Sequence, residues 1–342
     1  MSKTRFLDAC HGKPTDCTPV WLMRQAGRYQ PSYRALRKRV SFFELCETPE
    51  LAAQVTVQAV EDLDADAAII FSDILVPLMA MGAQVEMTDR GPKLEPIRDR
   101  GAIDRLRVVD PAEEVPYVME AIKLVNQRLD GLPQIGFAGA PLTLASYMVE
   151  GGASRGFPYL KGMLFGDPKA AHTLLEKLAD QVARHLRAQV EAGCHVVQLF
   201  DTWAGILDAE DYRNIVLPHI KRIFDDLADL EVPRIFFGTG LGHLLEVVRD
   251  CGADIFGVDW VIPLSEARRR LGKDVPLQGN LDPCSLFAEE DVLEARIQRV
   301  LDEAGGRPHI FNLGHGILPQ VDPARARFMV DTVHRLSAKE NA

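Results

Sequence analysis

The stretch AAIIFSD, residues 67–73, is an unbroken apolar run that ends abruptly in a carboxylate. Alternating apolar and polar residues would mark a strand with one wet face. A continuous apolar run instead marks a strand buried on both faces, as in a parallel sheet. The pattern recurs in PVWLMR (19–24), QIGFAGAP (134–141), HVVQLFD (195–201), RIFFGT (234–239), IFGVDW (255–260), VPLQGN (275–280) and HIFNLGHG (309–316), making eight runs. Amphipathic helical patterns lie between them, at 49–63, 111–129, 168–192, 209–229, 285–304 and 322–338. Thr48, Asp110, Asp167 and Asp322 each stand before a proline, the pattern of an N-cap followed by proline in the first turn. Gly193 and Gly252 suit helix C-terminal caps. Strand-then-helix units with no break in composition predict an α/β architecture, a single (β/α)8 TIM barrel over residues 1–342 with a short N-terminal extension. A doubly wound open sheet shares this alternation. The count of eight, and the polar residues that close nearly every run, favour the barrel.

In a barrel the C-terminal ends of the parallel strands meet at one mouth, where active sites sit. Here those ends carry Arg24, Asp73, the Gly139-Ala140-Pro141 turn, Asp201-Thr202, Thr239, Asp259-Trp260, Asn280 and Gly314-His315. Asp201, Thr239 and Asn280 suit a helix N-cap as well as a ligand. Asp259 suits a cap or an ion pair within the rim. Arg24 follows Trp-Leu-Met, and Arg28 and Arg34 come after it with no acid between them. A desolvated guanidinium needs a partner, either Asp73 across the mouth or a bound anion. Asp73 lies between Ile-Ile-Phe-Ser and Ile-Leu-Val-Pro, surroundings that favour a ligand-binding or catalytic carboxylate over a solvated one. His315 is flanked by glycines, which let the backbone approach a ligand closely.

Composition narrows the partners. With 47% hydrophobic and 26% charged residues the chain can bury a large core. A formal net charge of −10 argues against nucleic acid or a membrane surface, since both call for a broad cationic face. A local cluster of arginines in such a chain fits a small anionic ligand. No apolar run approaches the ~18 residues needed to cross a membrane, and MSKTRFLDACHGKP has no signal-peptide core. The six cysteines form no CxxC and no Cys/His pair at zinc spacing, as expected of reduced thiols in a cytoplasmic protein without a metal. GTGLG (238–242) follows a strand but lacks dinucleotide-binding spacing, and there is no P-loop, HExxH or GxSxG.

PVWLMRQAGRYQPSYR (19–34) and GFAGAPLTLASYMVEGG (136–152) resemble the two long signatures of the uroporphyrinogen decarboxylase family. FSDILVP (71–77), QLFD (198–201) and FNLGHGILP (311–319) resemble its other active-site segments, in the same order, so the resemblance spans essentially the whole chain. It implies a (β/α)8 barrel that works as a homodimer with no metal or organic cofactor. It implies removal of carbon dioxide from the four acetates of uroporphyrinogen III, giving coproporphyrinogen III in haem biosynthesis. By the same resemblance Arg24 and Arg28 bind carboxylates of the tetrapyrrole substrate, with Gln25 between them. Asp73 matches the aspartate that binds the pyrrole N–H groups, Tyr147 and His315 match further catalytic residues, and Phe137 packs on the macrocycle. Thr202 stands where many members have serine, keeping the hydroxyl and adding a methyl. A substrate with eight carboxylates accounts for arginines unpaired in sequence, because guanidinium binds carboxylate in a bidentate fork. Arg24, His315 and a bound water remain as proton sources. Two rivals remain. Zinc-dependent methyltransferases of the same superfamily carry a His-x-Cys pair late in a strand, which RIFFGTG lacks. A tetrapyrrole carrier needs the arginines but not Asp73.

Overall fold

The computed structural model describes residues 3–88 and 91–339. Seven parallel strands form one curled sheet: Ala68–Ile69, Gln134–Gly139, Val196–Asp201, Arg234–Gly238, Ile255–Gly257, Leu277–Gln278 and His309–Ile310, hydrogen-bonded in that order. Each lies within one of the predicted runs. The eighth run, 19–24, forms no regular strand. Val20 makes an isolated parallel bridge to Phe311. The Phe311 amide donates to Pro19 O and the Asp66 amide to Val20 O, each at 2.8 Å, so the segment touches both the last strand and the approach to the first. Side chains explain the missing ladder. The Val20 amide donates to Asp66 Oδ2, the Leu22 amide to Gln25 Oε1 and the Met23 amide to Asn312 Oδ1.

The two faces of the sheet are both dry, as the continuous runs require. On one face Trp21, Ile135, Val196, Ile235, Phe237, Ile255 and Ile310 form a cluster with Phe6, Ala9 and Cys10 of the helix Arg5–Cys10. The N-terminal extension therefore packs beneath the sheet instead of trailing from it. On the other face Ala138, Leu199, Phe236 and Leu277 pack into the helical layer. Full burial of each large apolar side chain contributes about 1.5–3 kcal/mol.

The helices follow the sequence pattern except where proline interrupts it and at 285–304, where a 3-10 turn, Pro283–Phe287, precedes a helix that starts only at Glu290. The pattern at 49–63 is one helix, Pro49–Leu63. Asp110, Asp167 and Asp322 cap their helices by accepting from the amides of Ala112, Ala170 and Ala324. Thr48 does not; its hydroxyl donates to the Glu44 carbonyl of the preceding helix. The pattern at 111–129 is cut into Pro111–Glu114 and Pro116–Leu129, because Pro116 has no N–H with which to continue the first piece. That at 209–229 passes through a wide π turn, Tyr212–Val216, just before Pro218, and resumes as Leu217–Asp226. An antiparallel hairpin, Val85–Thr88 with Gly91–Leu94, extends the connection after the first strand. No helix among the described residues is long and apolar enough to cross a membrane.

Candidate active site

The C-terminal strand ends surround a cavity of about 820 Å³, towards the upper end of the range for ligand pockets. Its wall includes Arg24, Gln25, Arg28, Asp73, Phe137, Tyr147, Thr202 and His315. Segments far apart in sequence thus meet at one place.

The arginine-bearing segment is a braced turn. The Gln25 amide donates to Leu22 O and the Gln30 amide to Gly27 O, both at 3.0 Å. The Tyr29 hydroxyl donates to Gln25 O at 2.8 Å. Arg24 itself has φ of +64°, a left-handed conformation unfavourable for a residue with a side chain. Its side chain then runs over Gly316, where a Cβ would lie 2.4 Å from Arg24 Cδ. The second glycine of the His315 motif is there to let the arginine pass.

Several strand-end residues hold the scaffold instead of facing a ligand. Gln25 is fully buried; its Oε1 accepts from Leu22 and its Nε2 donates to Ala67 O at 3.1 Å, so its side chain braces the Arg24 turn. Arg34 donates to the carbonyls of Arg28 and Tyr29. Asp201 caps no helix; it accepts from the Thr143 and Tyr212 hydroxyls, both at 2.7 Å. Asp259 accepts from the amides of Gly240 and Val261, and Asn280 Nδ2 donates to Asp259 O and Ile262 O. The Thr239 hydroxyl donates to Thr202 O.

Arg24 and Asp73 are left with their charges free. Among the described residues neither forms an ion pair, and they sense each other only through space. Asp73 Oδ1 accepts from the Leu75 amide at 2.8 Å. Burial pushes the Asp73 carboxyl above its usual range, with that amide and Arg24 pulling it back. Burial also pushes the Arg24 guanidinium down; Tyr147 and Asp73 oppose this while Arg28 adds to it. Burial and Asp73 raise the Tyr147 hydroxyl, against Trp203 and Arg24, so it stays a proton-bearing donor at neutral pH. Burial and Arg24 lower His315 to about 4, leaving a neutral imidazole stacked on Phe237 at 6.1 Å. Among the described residues Ser72 Oγ and His315 Nδ1 are buried without hydrogen-bond partners. Buried polar atoms are nearly always paired, so these two are poised for a bound group.

The wall also holds residues the sequence reading passed over. Arg37 stands with its guanidinium 5.8 Å from the Phe42 ring centre, and both face the cavity. Met87, Thr88, Gly91 and Pro92 bring the hairpin to the rim. The only sequence signal for Arg37 was its place three residues beyond Arg34. Among the described residues no group of three or more His, Cys, Asp or Glu could hold a metal ion.

Together these features define an α/β protein with a curled, seven-stranded parallel sheet, whose pocket is cationic around one carboxylate among the described residues. A family model for uroporphyrinogen decarboxylase (URO-D) matches residues 1–336. The uroporphyrinogen decarboxylase of Myxococcus xanthus is 50% identical over 333 residues, 97% of this chain and 96% of that protein. That of Trichlorobacter lovleyi is 51% identical over 338 residues, 98% of this chain and 99% of the relative. The chain belongs to the uroporphyrinogen decarboxylase family. Among solved structures, a methyltransferase from Methanosarcina mazei has the same fold, with a TM-score of 0.82 at 20% identity over 97% of this chain and 98% of that one. A vitamin-B12-independent methionine synthase from Shewanella is a more distant likeness, with a TM-score of 0.57 at 12% identity over 84% of this chain and 88% of that one.

Proposed function

We propose that the protein decarboxylates the four acetate side chains of uroporphyrinogen III, giving coproporphyrinogen III in haem biosynthesis. The observation that carries this reading is the Asp73 carboxylate and the arginines of one cavity, none of them in an ion pair among the described residues. Decarboxylation needs a place for an electron pair. A pyrrole provides one when its α-carbon is protonated and the ring becomes a cation. The bond to carbon dioxide then breaks, and its electron pair neutralises the ring as an exocyclic methylene. Protonation of that methylene gives the methyl group, and loss of the α proton restores the pyrrole.

The protein's residues meet these needs in turn. Asp73, beneath the pyrrole N–H groups, interacts more strongly with the cation than with the neutral ring, which is the condition for catalysis. Arg24 and Arg28 take substrate carboxylates in bidentate fashion, and Gln25 holds Arg24 in place through the backbone. Tyr147 and Thr202 supply hydroxyl donors. Phe137, edge-on to Phe200 at 5.7 Å, gives the macrocycle an apolar wall. Burial and Arg24 hold His315 low, which favours Arg24 or a bound water over an imidazolium as the proton source.

We also take the sheet to close as an eight-membered barrel through segment 19–24. The Val20–Phe311 bridge and the Asp66–Val20 hydrogen bond support this. The protein acts, on this reading, as a cytoplasmic homodimer without metal. Anaerobic incubation with uroporphyrinogen III should release carbon dioxide and give intermediates with seven to four carboxylates, undiminished by chelators. Tight binding without carbon dioxide release would leave a carrier. Loss on chelation with rescue by zinc would favour metal chemistry of the methyltransferase kind.

A further inference from the structure

Residues 24–39 hold Arg24, Arg28, Arg34, Arg37, Lys38 and Arg39 with no acid among them, in a chain of net charge −10. Among the described residues none of the six forms an ion pair. Arg34 and Arg37 donate to backbone carbonyls, which leaves their charges uncompensated. Arg24, Arg28 and Arg37 line the cavity. Lys38 and Arg39 do not; they are exposed in the turn that follows the helix Pro31–Arg37. That turn is bracketed by two wall residues, Arg37 and Phe42, so it stands on the rim. The first acid beyond it, Glu44, caps the next helix by accepting from the Ser41 amide.

We propose that Lys38 and Arg39 form a cationic approach that draws the polycarboxylate substrate toward the mouth and passes it to the arginines within. This rests on the decarboxylase reading for the identity of the ligand. An acidic protein repels a polyanion over most of its surface, and a local cationic rim beside a cleft focuses the field that reverses this. Such steering raises association rates by 10–10³-fold and fades as salt is added. Neither residue needs to touch bound substrate, so the effect belongs to association and not to the chemical step.

The test is stopped-flow association of uroporphyrin, the oxidised octacarboxylate, followed by fluorescence quenching across ionic strength. Lys38→Glu with Arg39→Glu is compared with Lys123→Glu with Arg128→Glu. The latter changes net charge equally on the helix Pro116–Leu129, which leads to the opposite ends of the strands. At ~20 mM salt the rim variant should associate roughly tenfold more slowly than wild type. At ~0.5 M, where the Debye length is a few ångströms, the gap should close. The control should match wild type, and kcat should be unchanged in both. Equal rates for the two variants at low salt would overturn the proposal, as would a deficit that persists at high salt. Because association is read without turnover, a protein that binds by this route but releases no carbon dioxide would sink the decarboxylase reading and leave the steering intact. Salt-independent association in an active decarboxylase would do the reverse.

Discussion

Asp73 is half-buried in the wall of the cavity, and among the described residues no cation pairs with it directly. Burial raises its carboxyl in the folded state. Below the unfolded pKa the group is neutral in both states and costs nothing. As pH rises from the unfolded pKa to the folded one the cost of the buried charge grows, and above the folded pKa it stands in full. Asp73→Asn should therefore leave the melting temperature at neutral pH equal or higher, while kcat falls roughly 10²-fold or more as a preorganised charge is lost. An Asn variant with normal single turnover, or one that unfolds, would make Asp73 a structural residue. On the proposed mechanism the ionised form is the active one, so the same shift places the acid limb of the kcat/KM profile, which reports the free protein, above the ordinary carboxylate range. A limb at the unperturbed carboxylate value would contradict this. The arginines should divide the work. Both arginines reach the cavity, but Tyr147 and Asp73 act on Arg24. Arg24→Ala should lower kcat as well as weaken binding, and Arg28→Ala should chiefly raise KM. Each should cost about tenfold or more in kcat/KM, the scale of a charge-assisted hydrogen bond. Wild-type kinetics in both would end the case for a carboxylate cradle.

At the scale of elements, the site depends on the braced turn 22–30 and the loop after the strand His309–Ile310 that passes beneath it. Gly316→Ala puts a methyl group into the Arg24 side chain. The arginine must move, so kcat/KM should drop by about tenfold or more, since an ångström of misplacement near the chemistry is enough. Gly162→Ala is the control: its Cβ meets nothing within 4 Å, and the helix Pro158–Gly166 gains by about 0.5–1 kcal/mol from losing a glycine. Kinetics that respond equally to both substitutions would show that Gly316 has no special place. Seven strands and the longest helices were legible because dry faces leave continuous or 3.6-periodic apolar patterns; shorter helices such as Pro141–Glu150 and Leu264–Leu271 were not read. Three departures had local causes. Pro116 and Pro218 cut two helices, side-chain acceptors replaced the ladder at 20–23, and the paired strands Val85–Thr88 and Gly91–Leu94 are too polar to read as buried strands.

For the whole molecule, the rim exposes Trp260 and Val261, at 42% and 62%, just past the Asp259 strand end. Large apolar side chains left in water suit a surface covered in an assembly. Sedimentation at micromolar concentration should show a species of about twice 37.9 kDa, in keeping with the expected homodimer. A single species of monomer mass at all concentrations would refute the dimer.

The sequence by itself determined where the strands run and that polar residues cluster at their ends, because burial on two faces demands unbroken apolar runs whatever the packing. It also placed Arg24, Asp73, Tyr147 and His315 in a common set through the motifs that carry them. Only the tertiary structure decided which polar residues keep their valence for a ligand. Asp201 met Thr143 and Tyr212, Gln25 met Ala67, and Asp259 met Gly240, while among the described residues Arg24 and Asp73 met no partner of opposite charge. Hydrogen bonds to residues tens of positions away leave no trace in a local pattern. Two carboxylates at the ends of similar strands therefore read alike until the fold satisfies one of them and leaves the other facing the cavity.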